Sequence, residues 1–150
     1  MKVYIAADHA GLELKEKLKT YLSQKNYEVE DCGAFEYDKD DDYPDFISAA
    51  AERVAKNSGA FGVVIGKSGA GEAIVANKIK GVRAALGFSR ENVLLLRTHN
   101  NANVLSLGSA FVSDEEAKKL VELFLETPFS EEERHKRRIR KIEELEQAQS

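Results

Sequence analysis

The sequence predicts an α/β fold, a three-layer α/β/α open sandwich built on a five-stranded parallel sheet of the Rossmann-like or flavodoxin-like kind. Short apolar runs alternate with segments of helical period along all 150 residues. Continuous apolar runs are typical of parallel strands buried on both faces, and the alternation is typical of the helices that cover them. Because no repeat, low-complexity tract or linker interrupts this pattern, residues 1–150 are expected to form one domain.

Five strands are expected where the apolar runs are densest. Their approximate bounds are 3–7, 27–32, 61–65, 82–88 and 104–107. The first helix is predicted by leucines at helical spacing, namely Leu12, Leu14, Leu18 and Leu22. The second helix is expected to begin at Pro44, because the fixed φ of proline and its missing N–H suit the first helical position.

The C-terminal forty residues predict two further helices. Ser113 with Glu116, and Ser130 with Glu133, each have the spacing of a capping box. The final helix, about residues 130–147, carries only a narrow apolar seam among many charges. Such a helix needs a surface to pack on, and its own domain and a second subunit are both open at this point.

Composition narrows the classes of function. The chain has 22 basic and 26 acidic residues and a net charge of -4, so no global positive field draws it to nucleic acid or anionic lipid. The lone cysteine, Cys32, cannot form an internal disulfide, and the sequence shows neither a leader pattern nor an apolar run of membrane-spanning length. We expect a cytoplasmic protein that binds neither nucleic acid nor membranes.

No metal site is predicted. One cysteine and three histidines without short ligand spacing offer little for zinc. The acidic run 38–45 lacks the central glycine and the closing glutamate of a calcium loop. We expect this run to be a solvated loop.

The sharpest chemical signal is the glycine-rich segment 66–72, which follows the third predicted strand. Its glycines allow backbone conformations that turn successive N–H groups toward one point, as an anion-binding site requires. The segment is not a P-loop, because the first glycine of that motif would fall at Phe61, and its glycine order differs from the dinucleotide fingerprint. A tight turn without a ligand is the alternative interpretation.

Glu72 closes this segment where a helix begins. A carboxylate in the first turn of a helix is kept ionised by the positive end of the helix dipole and can take a proton from carbon. Asp8, His9 and His99 are placed at turns near the expected sheet edge, where open parallel sheets bind ligands. Histidine is suited to moving protons near neutral pH. A helix cap or a structural turn is the alternative explanation for each of these residues.

The last predicted helix opens with a cluster of cations. Arg134, Arg137, Arg138 and Lys141 have i, i+3, i+4, i+7 spacing and therefore share one face. A phosphate held by the planar forks of Arg134 and Arg138 would relieve their repulsion. Pairing within the helix, such as Glu133 with Arg137, is the alternative.

Together these motifs resemble the type B ribose-5-phosphate isomerase family, which also includes galactose-6-phosphate isomerase subunits. The resemblance extends over nearly the whole chain, and the order and spacing of the motifs are highly specific. The segments that carry it are 7–11, 31–33, 42–44, 66–72, 76–78, 81–84, 99–103 and 134–138.

The resemblance implies an aldose–ketose isomerase that interconverts ribose 5-phosphate and ribulose 5-phosphate without a metal or organic cofactor. It also implies a homodimer with active sites shared between subunits, in which the C-terminal helix, about residues 130–147, packs on the partner subunit. A tetramer is left open. One branch of the family uses a cysteine directly after the third strand as its base, and another uses a glutamate at the end of the loop. Those positions hold Gly66 and Glu72 here, which resembles the glutamate branch.

A role for each site residue is implied as well. His99 would open the furanose ring, and Glu72 would move a proton between C2 and C1 through a cis-enediolate. Asp8 would hold sugar hydroxyls. The developing negative charge would be bound by Ser68, by Asn100 and by the loop backbone at Gly69, Ala70 and Gly71. The phosphate would be bound by His9, Arg134 and Arg138.

Two residues depart from the family pattern. An arginine is common shortly after Gly108-Ser109, where this chain has Ala110, and a small residue is common where it has Lys67. We hypothesise that Lys67 restores the missing cation from a different direction. The open alternatives are an isomerase of a six-carbon aldose 6-phosphate such as allose 6-phosphate and a sugar-phosphate-binding protein without turnover. A nucleotide-binding switch protein is a more distant alternative.

Overall fold

The computed structural model, which describes residues 1–149, confirms the predicted α/β fold. The strands are β1 (Lys2–Ala7), β2 (Glu28–Asp31), β3 (Phe61–Gly66), β4 (Ala84–Leu86) and β5 (Val104–Gly108). They form one all-parallel sheet in the order β2-β1-β3-β5-β4. Every strand lies inside its predicted range or within one residue of it. The strand order, by contrast, does not follow from the alternation of elements along the sequence.

Helices cover both faces of the sheet. The helices are α1 (Leu12–Gln24), α2 (Tyr43–Lys56), α3 (Ala70–Ala76), α4 (Arg90–Thr98), α5 (Asp114–Glu126) and α6 (Glu133–Ala148). One hydrophobic core joins α1, α4 and α5 to the sheet, and a second core joins α2 and α3 to the opposite face. Among residues 1–149, no helix combines the length and the apolar character that crossing a bilayer requires.

The helix starts test the predicted capping signals. The capping box at α5 is confirmed, because Ser113 Oγ accepts from the Glu116 N–H at 3.1 Å and the Glu116 carboxylate accepts from the Ser113 N–H at 3.3 Å. Helix α2 begins at Tyr43, one residue before the expected start, and Pro44 lies in its first turn.

The second predicted capping box is wrong. Glu131 adopts a left-handed conformation with φ 64°, which interrupts the helical path, so α6 begins only at Glu133 and has no side-chain cap. The Ser130 hydroxyl instead accepts from the Glu132 N–H at 3.4 Å.

Helix α6 packs on its own domain along only part of its length. Ile139 is buried, whereas Ile142 and Leu145, which continue the same seam, are exposed. Farther along, the Glu146 carboxylate accepts a hydrogen bond from the Gly81 N–H at 3.1 Å. Part of the apolar seam therefore lies uncovered on the surface.

The strand order predicts a ligand crevice between the carboxyl ends of β1 and β3. From β1 the chain passes to β2 on one side, and it returns to β3 on the other side. Open α/β sheets bind ligands at the carboxyl ends of the strands where the order reverses in this way. The turn 8–11 follows β1 and the loop 67–69 follows β3, so both predicted site segments meet at this crevice.

Candidate active site

Glu72 lies in the first turn of α3 and is only 4% exposed. Its carboxyl group lies against the Cα of Gly66, where any added Cβ would overlap it. Burial raises the pKa of Glu72, and the charge of Asp8 raises it further, while the backbone N–H groups of Glu72 itself and of Gly69 lower it in part. The net result is a buried carboxyl group with a raised pKa.

Asp8 follows β1 and is buried beside Glu72. One of its oxygens accepts from the backbone N–H of Ala10 at 3.0 Å and from that of Gly11 at 3.3 Å. The N-cap of α1 is Gly11 rather than Asp8. The Asp8 carboxylate thus shapes the turn before the helix and also places a charge at the crevice.

His9 lies in the same turn, and its partner is Asp41. Their side chains contact at 2.6 Å between Nδ1 and Oδ1, and the pKa of His9 is raised, chiefly by this hydrogen bond. The prediction of a solvated loop at 38–45 is therefore wrong for Asp41, whose side chain is 8% exposed. A charge run does not reveal which of its members faces a histidine distant in sequence.

The loop between β3 and α3 is held from several sides. Gly69 has φ 82°, a conformation that glycine adopts readily, and its carbonyl accepts from the buried Ser106 hydroxyl at 2.6 Å. The Ser68 hydroxyl is exposed and accepts from the Ala70 N–H at 3.2 Å. Tyr43 lies over Gly71, where a Cβ would meet its hydroxyl oxygen at 2.7 Å.

Lys67 and Ala110 are neighbours in space. The Ala110 N–H donates to the Lys67 carbonyl at 3.0 Å, and the Ser109 N–H donates to the Gly66 carbonyl at 2.8 Å. Both Lys67 and Ala110 are exposed. A cationic side chain at either position would therefore extend from the same side of the crevice.

His99 and Asn100 lie at the amino edge of the sheet, that is, near the amino ends of its strands, and Glu72 lies at the carboxyl edge, near the carboxyl ends. This placement corrects the expectation that His99 lies at the carboxyl ends of the strands, where open parallel sheets bind ligands. They follow α4 and precede β5, so they lie near the amino end of that strand. The five residues of β5 separate the two edges by about 13 Å at 3.3 Å per residue. Within one chain, Glu72 and His99 therefore do not share a site.

His99 has a partner that the sequence did not single out. Its ring stacks on the His135 ring with centroids 4.2 Å apart. His135 is buried, and its Nε2 lies 3.0 Å from a Glu132 carboxylate oxygen. Burial, followed by the charges of His99 and Arg134, lowers the pKa of His135. The stacked pair joins the end of α4 to the start of α6.

The cations at the start of α6 lie with this histidine pair. Arg134 forms an ion pair with Glu132 at 3.3 Å, and Arg138 is exposed. Glu133 approaches Lys136 at 3.8 Å rather than pairing with Arg137 as the intrahelical alternative expected. The predicted site residues thus form two groups, one at each edge of the sheet.

Three potential metal ligands lie close together although no metal site was predicted. The ligand atoms of Asp8, His9 and Asp41 all lie within 4.8 Å of one another. The short His9–Asp41 hydrogen bond accounts for their approach without an ion.

A model of the ribose/galactose isomerase family matches residues 3–142 of this chain. The chain belongs to that family. The match covers β1 through most of α6 and includes every predicted site residue. In sequence, the chain is 47% identical over 146 residues to ribose-5-phosphate isomerase B of Mycobacterium tuberculosis, covering 97% of this chain and 90% of that protein.

Solved structures of the family have the same fold. The ribose-5-phosphate isomerase B of Mycoplasma genitalium, crystallised with bound ribulose-5-phosphate, superposes with a TM-score of 0.94 at 45% identity, covering 97% of this chain and 96% of that chain. The type B enzyme of Trypanosoma cruzi also reaches 0.94 at 38% identity, covering 99% and 98% of the two chains.

Three residues near the predicted site residues were not predicted from the sequence, namely Asp41, Tyr43 and His135. Tyr43 and His135 stand in segments that carried the resemblance, but nothing in their local spacing marked a function. Each is placed by packing between distant elements. The available signal for Tyr43 and His135 was their position within the motifs 42–44 and 134–138, and Asp41 directly precedes the first of these.

Proposed function

We infer that this chain is an enzyme of pentose phosphate metabolism that interconverts ribose 5-phosphate and ribulose 5-phosphate. The inference is carried by a buried carboxyl group at the glycine loop in a chain 47% identical to a ribose-5-phosphate isomerase B. The direct test is a coupled assay of the purified protein with ribose 5-phosphate. Turnover confirms the function, and its absence at high enzyme concentration contradicts it.

Glu72 is the base in this proposal, which places the chain in the glutamate branch. Gly66 has no side chain to act as a nucleophile or base, and the Glu72 carboxyl group fills the space that such a side chain would need. The chemistry needs one group that takes the proton from C2 and returns it to C1, while a hydroxyl proton passes between O1 and O2. A buried carboxylate is a stronger base than a solvated one because burial raises its pKa.

The intermediate of this transfer is a cis-enediolate, whose negative oxygen needs donors. The Ser68 hydroxyl already accepts from the Ala70 N–H, so its own proton is available to donate. The backbone N–H of Gly71 completes the proposed donor set, because the Gly69 N–H already interacts with the Glu72 carboxylate. Donors fixed by the loop need little reorganisation when charge develops.

The second group of site residues is supplied by another copy of the chain. His99, Asn100, Arg134 and Arg138 cannot join Glu72 within one chain, because the sheet separates them. We propose a homodimer in which the amino edge of one subunit faces the crevice of the other. His99 of the partner then opens the furanose ring, and Asn100 of the partner binds the enediolate.

Docking of α6 on the partner fits the same arrangement. Ile142 and Leu145 leave an apolar seam exposed, and covering it would stabilise a dimer.

The phosphate is held by His9 on one side and by Arg134 and Arg138 on the other. His9 is the cation of the crevice group, and its raised pKa favours the charged ring. Lys67 is proposed to add a further cation where Ala110 leaves none. The planar forks of the arginines suit phosphate oxygens.

Ala110 bears on the choice between a five-carbon and a six-carbon substrate. It is exposed at the rim of the crevice, where the family that the sequence resembles commonly has an arginine, and a six-carbon aldose 6-phosphate is the second candidate substrate. Comparing kcat/KM for ribose 5-phosphate and allose 6-phosphate decides between them. A higher value for ribose 5-phosphate supports the primary proposal.

A further inference from the structure

We propose that Asp41 is a positioning residue that fixes the ring of His9 and directs its Nε2 toward the substrate phosphate. Asp41 itself touches no substrate. The proposal rests on the proposed function, in which His9 binds the phosphate.

Asp41 is bonded to His9 twice. Its Oδ1 lies 2.6 Å from the ring Nδ1 and also accepts from the His9 backbone N–H at 3.3 Å. Because one oxygen holds both the ring and the backbone of the same residue, the side-chain dihedrals of His9 are fixed. An ionised carboxylate is only an acceptor, so the proton on this side of the ring belongs to Nδ1. The Nε2 is left for another partner.

Burying the Asp41 carboxylate lowers the stability of the fold unless its interactions compensate for the lost hydration. Its side chain is 8% exposed, and its Oδ2 has no hydrogen-bond partner within the part of the chain that the structure describes. A buried polar atom without a partner lowers stability. The two contacts with His9 explain why a carboxylate occupies this position.

The groups that face His9 are predominantly acidic. Asp41 is nearest, Asp8 approaches Nδ1 at 3.9 Å, and Asp38 acts from a greater distance. The Tyr37 ring stands edge-on to the imidazole with centroids 6.0 Å apart. The hydrogen bond to Asp41 raises the pKa of His9 against the effect of burial, and Asp8, Asp41 and Asp38 add to it by charge. A charged ring with a free Nε2–H is a strong phosphate donor.

The test compares Asp41→Asn with Asp40→Asn. Asp40 is exposed, belongs to the same loop and loses the same charge, but makes no contact with His9. The amide oxygen in Asp41→Asn can still accept from the ring but carries no charge, and loss of that charge predicts that KM for ribose 5-phosphate rises about ten-fold, with kcat changed less than about two-fold. Asp40→Asn should leave both values unchanged.

The pH profile separates positioning from mere support of the fold. His9 binds phosphate in its charged form, which is lost as the pH rises through its pKa. Removing Asp41 lowers that pKa, so the alkaline limb of kcat/KM should move to lower pH in Asp41→Asn and stay in place in Asp40→Asn. An unmoved limb in Asp41→Asn contradicts the proposal.

A double variant and an NMR titration complete the test. In the His9→Asn background, Asp41→Asn should cause no further rise in KM, since both changes act through the same ring. Titration of the His9 ring without substrate should show a lower pKa in both Asp41→Asn and Asp41→Ser. Additive effects, or an unchanged pKa in folded variants, overturn the proposal. The titration needs no turnover and therefore separates the two proposals. If the wild type is inactive but its His9 pKa still depends on Asp41, the proposed function is refuted and the effect of Asp41 on His9 stands.

Discussion

Glu72 combines two properties that a purely structural glutamate would not need together. It is buried, and its pKa is raised by that burial and by the nearby charge of Asp8. A helix cap on the surface would keep its carboxylate solvated and its pKa low. The raised pKa makes the carboxylate a better base and makes its ionised form a cost to the fold.

Replacing Glu72 by Gln removes the base and keeps the shape. We expect kcat for ribose 5-phosphate to fall roughly 10²- to 10⁴-fold, with KM changed only a few-fold, because binding does not need the proton transfer. Steady-state kinetics measure both values, with the exposed Glu52→Gln as control. A variant that keeps its kcat would remove Glu72 from the mechanism.

The same variant has a stability signature. The folded-state pKa of Glu72 is raised, so the folded chain holds a proton that the unfolded chain releases, and stability falls as the pH rises from the unfolded pKa through the folded pKa. Glu72→Gln removes that loss. Its melting temperature at pH 7 should therefore equal or exceed that of the wild type.

Lys67 is expected to contribute to phosphate binding because it shares a rim with Ala110. Lys67→Ala should raise KM for the sugar phosphate about two- to five-fold, as loss of an exposed charge pair would. Adding Ala110→Arg to that variant should restore much of the affinity. An unchanged KM in Lys67→Ala would show that Lys67 does not compensate for Ala110.

At the scale of elements, the segment between β2 and α2 carries Asp41 and is anchored at its start by a buried ion pair. Lys15 is fully buried, lies 2.7 Å from Asp31, and also donates to the Ala34 carbonyl. Burial alone would raise the pKa of Asp31, but hydrogen bonds from Lys15, from Lys19 and from the Gly33 N–H outweigh it and lower the pKa.

Asp31→Asn should destabilise the fold by about 3–5 kcal/mol at pH 7, because it leaves the buried Lys15 ammonium with only the half-exposed Glu16 carboxylate, 3.6 Å away, as counter-charge. Urea unfolding measures the change, with the exposed Glu36→Gln as control. Since the folded pKa of Asp31 is depressed, its contribution is present above the unfolded pKa and is lost as the pH falls through the folded value. A loss below about 1 kcal/mol would place this pair with ordinary surface pairs.

Local signals in the sequence predicted the elements well, and contacts between elements decided the rest. The apolar runs located all five strands, and the Ser113 box located α5, because these signals act over a few residues. The same capping-box pattern failed at Ser130, because Glu131 adopts a left-handed backbone conformation and the helix begins only after it. The strand order and the His99–His135 stack depend on long-range packing, which no short motif encodes.

On the scale of the whole molecule, the candidate site is divided between the two edges of one sheet. Glu72, Asp8 and His9 lie at the carboxyl edge, while His99 and Arg134 lie at the amino edge. The sequence-based prediction placed all of them at one end of the sheet, although His99 precedes β5 in the chain and therefore lies near the amino end of that strand. Two copies related by a two-fold axis can bring opposite edges together twice.

Mixing two inactive variants tests this arrangement most directly. Glu72→Gln and His99→Asn should each abolish most of the activity as pure dimers. When the two are unfolded together and refolded, half of the dimers are mixed, and each mixed dimer holds one intact site, so about one quarter of the wild-type activity should return. If the refolded mixture stays as inactive as its components, while wild type refolded alongside recovers, the carboxylate and the histidine do not meet across a subunit boundary.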